Sequence, residues 1–197
     1  SRSAVWQRLA WAILTANASY ESTALALRRC AAYGYGEDTL PPRALSGVPG
    51  MVPAKVEYLN ALPGDRRIFD LLRAPSVESW DAYRLRLRAS VRGLELTKAS
   101  YAACMLYPLE ADVACLDTWL LKLLGWASAF RALPLAEYRA AEGDVRAIAH
   151  RHGVSTALCQ WMLWDCVRGT TTDLRVFRGR GCLSRCSTKS LLATLRK

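Results

Sequence analysis

Apolar residues recur at spacings of three and four along most of the chain, the repeat of amphipathic helices, and the strict alternation of half-buried strands is absent. Residues 4–16 place Trp6, Leu9 and Ile13 at helical spacing and predict a first helix. A polar break, "NAS", follows, and residues 20–32 predict a second helix with Ser19 as its cap. The run "YGYGEDTLPPRALSGVPG" is rich in Gly and Pro and reads as a loop. Pro53 opens a helix over 53–62, since proline suits the first helical turn. Further helices are predicted over 66–73 and 77–91, the second capped by Ser76. Two short ones, 95–106 and 118–124, flank "YPLEADVACL", and two more, 136–151 and 155–168, precede a polar tail. Internal repeats are absent. The pattern predicts an all-α protein.

Composition bounds this picture. With 197 residues and 52% hydrophobic content, the chain can bury one sizeable core, or two helical lobes around a shared cleft, and is not a disordered sequence. No apolar run reaches the ~18 residues of a membrane span, because Arg, Asp or Lys interrupts each candidate. A soluble, cytoplasmic protein without a membrane partner is expected. Cys30, Cys104, Cys115, Cys159 and Cys166 fall within apolar helical patterns, the usage of a reducing compartment. With Cys182 and Cys186 the last two give C-x6-C-x15-C-x3-C. Cys159 and Cys166 lie seven apart on one helical face, however, which core packing explains better than a metal. His150 and His152 read as an exposed helix end and form no metal pattern with a nearby Cys or acid. No metal site is expected.

The charge adds a partner. Lys and Arg total 27 against 17 acids, a net +10. Such an excess fits a polyanion, most often nucleic acid, although a membrane surface or simple solubility also fits. The tail "RVFRGRGCLSRCSTK" holds Arg175, Arg178, Arg180, Arg185 and Lys189 without an acid, a density suited to phosphate neutralisation. A solvated tail would look the same.

Against this background one acid stands out. Asp117 lies between apolar "VAC" and apolar "WLLKLLG", at the N-cap or first turn of a helix. A cap alone would account for a solitary Asp. Upstream, however, lies "VRGLELTKASYAACML". Gly93 permits a tight turn, Leu94 can plug the core beneath it, and the N–H groups of Leu96, Thr97 and Lys98 open a helix able to receive a phosphate.

Hairpin and acid together resemble the helix-hairpin-helix core of the DNA glycosylase superfamily, L-P-G-V-G-x-K-T-A followed some twenty residues later by V-D-T-H-V. The resemblance covers roughly residues 4–130. It implies a base-flipping DNA enzyme with a domain over 1–173, a hairpin about 91–106, a catalytic loop and helix over 112–125, and a basic tail from 174 to 197. Asp117 matches the catalytic aspartate. "AILTANASYESTALAL" resembles the first helix pair, whose turn fills the hole left by the flipped base, and Asn17 falls on that position. Gly93, Leu94, Glu95, Leu96 and Thr97 would bind DNA through the hairpin, with Arg175, Arg178 and Arg180 behind them. Glu95 replaces the second hairpin glycine, Thr97 stands at the Schiff-base lysine's place, and Trp119 replaces the histidine. The cysteines do not follow the family's cluster pattern. Neither lysine-imine lyase chemistry nor an iron–sulfur cluster is therefore implied.

"GLELTKASYAACML" with "DVACLDTWLLKLLG" is more similar to a phage branch of this fold, the α-glutamyl/putrescinyl thymine pyrophosphorylases or amino acid:DNA transferases. Their run is G-L-G-L-x-K-A-S-F, then V-A-C-L-D-T-H, with its lysine where Lys98 stands. This resemblance implies a phage protein, working in the bacterial host after a hydroxymethyluridine DNA kinase. It would displace phosphate from phosphorylated 5-hydroxymethyluracil in double-stranded DNA with a free amino acid or amine such as glycine. Asp117 and Lys98 would be catalytic, with Trp119, Trp164 and Asp165 in the substrate pocket. No cofactor is implied beyond a monovalent cation at the hairpin. A monofunctional DNA glycosylase and a silent DNA-binding module are the alternatives. On the residues alone, Trp119 better suits the core, and Asp165 a surface ion pair with Arg168.

Overall fold

The computed structural model describes residues 2–35, 37–62, 70–71, 73, 78–126 and 133–168. The basic tail with Arg175, Arg178, Arg180, Cys182 and Cys186 lies outside them, as do Ser76, most of the helix expected over 66–73 and the Arg168 side chain. Eight complete helices and no strand are present among the described residues, as the hydrophobic repeat predicts. The chain divides into two compact units, one ending at Leu106 and one beginning at Tyr107.

The first unit is built around α1 (Arg2–Leu14). Its buried residues, Val5, Trp6, Leu9, Ala10, Ala12, Ile13 and Leu14, surround most of the helix, which suits a central helix packed on several sides. Helices α2 (Tyr20–Ala31), α3 (Pro53–Asn60) and α5 (Leu96–Leu106) pack against it, and α4 (Trp80–Ser90) packs against α5. Ser19 caps α2 by accepting from Ser22 N, and Pro53 opens α3. The cap of α4 is Ser79 rather than Ser76: its Oγ accepts from Ala82 N at 3.1 Å. "SVESWDA" contains two serines three residues apart, and the apolar stretch that demands the helix starts only at Trp80.

Arg84 is fully buried between α4 and α5, where it bonds the Ser100 hydroxyl at 3.2 Å and pairs with Asp81. Between these helices Gly93 takes φ +88, and a Cβ there would lie 2.4 Å from the Tyr58 ring. Tyr58 and Glu57 of α3 also hold Arg92, the ring by a cation–π contact and the carboxylate at 3.8 Å. The turn is thus moulded to α3, and glycine is its one sterically free choice. Leu94, 2% exposed, plugs the core beneath.

In the second unit α7 (Leu135–His152) packs on α8 (Thr156–Arg168), and short α6 (Thr118–Leu123) packs on α8 as well. Gly153 ends α7 in the left-handed conformation. His150 is exposed on the last turn of α7, as expected, and His152 is half-buried. No described helix is long and apolar enough to cross a membrane.

Candidate functional site

Residues 111–117, "ADVACLD", lie in neither helix nor strand, so their backbone groups need other partners. Side chains of α7 supply them. Buried Glu142 accepts from Ala114 N at 2.8 Å. The Tyr138 hydroxyl donates to Ala114 O at 2.7 Å and accepts from Leu116 N at 3.1 Å. Arg146 reaches the Asp112 carboxylate at 2.9 Å and its carbonyl at 3.0 Å. Ala157 N bonds Ala111 O at 3.1 Å, and Thr156 closes on the Asp112 carboxylate. Residues 138, 142 and 146 repeat every four positions and so line one face of α7. That spacing was the available signal, but a polar stripe on a helix usually faces water.

This cradle delivers Asp117 to the start of α6. Oδ1 accepts from Trp119 N and Leu120 N, each at 3.0 Å, and Oδ2 accepts from the Trp164 indole N–H at 2.8 Å. The cap therefore accounts for one oxygen of a half-buried carboxylate, and a tryptophan from α8 holds the other. Three converging donors suit a group that only accepts. Among the predicted pocket residues, Asp117 and Trp164 come together. Trp119 is 53% exposed, with Lys122 5.4 Å from its ring centroid, so it is not a core residue. Asp165 is buried, 4% exposed, which excludes a surface ion pair as its setting. Gln160 is a further residue of interest, one turn before Trp164 on the same face of α8. It is 4% exposed, and its Oε1 has no hydrogen-bond partner among the described residues. A buried carbonyl oxygen without a donor is uncommon and invites a ligand N–H.

In the first unit, Leu96, Thr97 and Lys98 form the first turn of α5, where helical N–H groups lack intrahelical partners. Glu95 points to solvent and pairs with Arg88 at 3.1 Å. Lys98 is half-buried rather than a freely solvated lysine. Its Nζ donates to the Thr15 hydroxyl at 3.2 Å and lies 5.5 Å from the Tyr101 ring centroid. Tyr101 OH accepts from Trp11, whose ring meets exposed Tyr20 edge-on. Lys98 thereby adjoins the turn bearing Asn17, which is exposed and has φ +52. Lys55, which no local motif marks, lies buried beneath that turn.

No group of three or more His, Cys, Asp or Glu side chains that could hold a metal exists among the described residues. Cys30, Cys104, Cys115, Cys159 and Cys166 are free thiols. Burial pushes Cys30 up to about 11 and raises Cys166, beside Asp165, as well.

The all-helical fold of the described residues, with the turn before α5 and the capping aspartate at α6, is shared with solved DNA glycosylases. The 8-oxoguanine DNA glycosylase of Methanocaldococcus jannaschii superposes with a TM-score of 0.70 at 22% identity, over 88% of this chain and 82% of that one. The 8-oxoguanine glycosylase/lyase of the same organism, in complex with a 15-mer DNA containing 8-oxoguanine, gives 0.70 at 21% identity, covering 88% and 84%. The 8-oxoguanine DNA glycosylase of Thermotoga maritima gives 0.68 at 22%, covering 86% and 82%. No protein-family model matches the sequence, and no curated protein does.

Proposed function

We propose that the protein extrudes a nucleotide from double-stranded DNA and acts on it with Asp117, cleaving the bond between a modified base and its sugar. Extrusion costs a few kcal/mol, least for a damaged base, and a phosphate grip at the start of α5 with Asn17 in the vacated space would offset it. The observation that carries the reading is the triple hydrogen bonding of the Asp117 carboxylate. Held in this orientation, the carboxylate would stabilise the positive charge that develops at the sugar as the base departs. The base departs, water adds to the sugar carbon, and an abasic site remains. Thr97 offers no amine for an imine, so the DNA strand stays intact. Gln160 Oε1 would accept from an N–H on the edge of the extruded base, as guanine lesions present.

A second reading is favoured by one observation, the placing of Lys98 beside the Asn17 turn. In an amino acid:DNA transferase this ammonium would hold the phosphate leaving group of phosphorylated 5-hydroxymethyluracil while a free amine displaced it. Duplexes carrying 8-oxoguanine, uracil or 5-phosphomethyluracil, each with and without glycine, separate the readings by nucleoside mass spectrometry. Released base with intact strands supports the glycosylase, and an amine adduct supports the transferase. Unchanged DNA in every mixture would overturn both and leave a binding module.

A further inference from the structure

Lys55 is 5% exposed, and a buried ammonium survives only where its protons are bonded. Here no acid does this. Nζ donates to three main-chain carbonyls, Leu14 O at 2.8 Å, Ala16 O at 2.5 Å and Gly50 O at 2.8 Å, with Met51 Sδ at 3.8 Å closing the remaining side. Leu14 ends α1 and Ala16 follows it, so two of these oxygens belong to the carbonyl-rich, negative end of the helix dipole. Thr15 donates to Ala12 O at 3.0 Å and accepts from Lys98. Two ammonium groups therefore meet the end of α1, and burial together with the Lys98 charge lowers Lys55 to about 8.

These bonds bracket Asn17. Leu14 and Ala16 precede it, and Gly50 presses against it, so closely that a Cβ on residue 50 would lie 2.6 Å from Asn17 O and 3.1 Å from the Ala18 Cα. We propose that Lys55 is a positioning residue: its ammonium fills a main-chain carbonyl cage of the kind that holds a monovalent cation, and so fixes the turn that presents Asn17 to DNA. The role given to Asn17 rests on the DNA reading above; the cage does not.

The test is Lys55→Ala, which empties the cage, read by hydrogen exchange over residues 14–20 and by 2-aminopurine fluorescence in a bound duplex. Exchange at 15–18 is expected to quicken at least about tenfold while α7 and α8 stay unchanged, with the fluorescence signal reduced in parallel. Propylammonium or K+ should restore both, and tetramethylammonium, which has no N–H and is too large, should not. Unaltered exchange, or exchange that neither cation restores, overturns the proposal. Should Lys55→Ala not fold, the wild type answers by NMR. A slowly exchanging Lys55 ammonium coupled across hydrogen bonds to carbonyl carbons 14, 16 and 50 supports the cage, and an uncoupled, rapidly exchanging one refutes it. A wild type that leaves 2-aminopurine duplexes unperturbed sinks the DNA reading instead, while exchange still judges the cage.

Discussion

Trp164 and Asp117, 47 residues apart, are joined by one hydrogen bond from an indole N–H to a carboxylate oxygen at 2.8 Å. The bond turns a helix cap into an oriented acid. Asp117→Asn keeps a cap acceptor but loses the negative charge. On the proposed glycosylase reading, turnover should fall about 100- to 1,000-fold, the range for removing one electrostatic stabiliser, with duplex affinity changed little. Trp164→Phe keeps an aromatic ring but removes the indole N–H together with the five-membered ring that carries it; a smaller loss, about tenfold, is expected. Single-turnover rates and fluorescence anisotropy on the same duplex measure both, and an Asp117→Asn enzyme of wild-type rate would exclude the assignment.

The cradle behind Asp117 predicts stability. Glu142→Leu leaves Ala114 N buried without an acceptor and should cost about 1–3 kcal/mol, more than Glu142→Gln, which keeps an oxygen in place. Urea denaturation of the two variants checks the order, and equal midpoints would mean the Ala114 bond is dispensable.

At the hairpin, Gly93→Ala faces both a left-handed backbone and the Tyr58 ring at 2.4 Å. It should lower stability by about 2 kcal/mol or more. Adding Tyr58→Ala relieves the collision but not the backbone conformation, so only partial recovery is expected. Thermal melts of the single and double variants read this directly.

Lys55 gives a pH signature. The charged group facing it from α5 is Lys98, while the end of α1 and the Gly50 loop present neutral carbonyls. Its pKa of about 8 in the fold, below the ordinary lysine value of 10.5, means that the folded chain gives up this proton first. Between those values the unfolded chain binds more protons, so this group's contribution to stability rises with pH. Below pH 8 the burden of the buried charge is fully present. The stability difference between wild type and Lys55→Met should therefore grow in favour of the wild type from pH 8 to pH 10. Parallel curves would show that Lys55 does not titrate there.

The net charge of +10 predicts that duplex affinity falls linearly on logarithmic salt axes. Anisotropy titrations from 50 to 200 mM salt measure the slope, and a flat line would argue against phosphate contacts.

Local chemistry explains what could be read from the residues. Ser19, Pro53 and Asp117 act on the turn in which they stand, so their helix starts are visible in a few letters. Gly93 and Leu94 mark the hairpin for the same reason. Ser76 misled because Ser79, three residues on, satisfies the same rule nearer the first apolar position. Tyr138, Glu142 and Arg146 were opaque because their partners are backbone groups some 22 to 34 residues away. Lys55 was opaque for a stronger reason, since nothing in "PAKVEYLN" distinguishes a caged ammonium from a solvated one.

The backbone of Asn17, at φ +52, restricts which amino acids evolution can place there. Glycine, asparagine and aspartate tolerate that region, whereas valine, isoleucine and other bulky apolar residues strain in it. On the proposed DNA reading, the tip would answer a vacancy in stacked DNA with a short amide, reading orphaned base edges by polar contact, and not with a greasy plug.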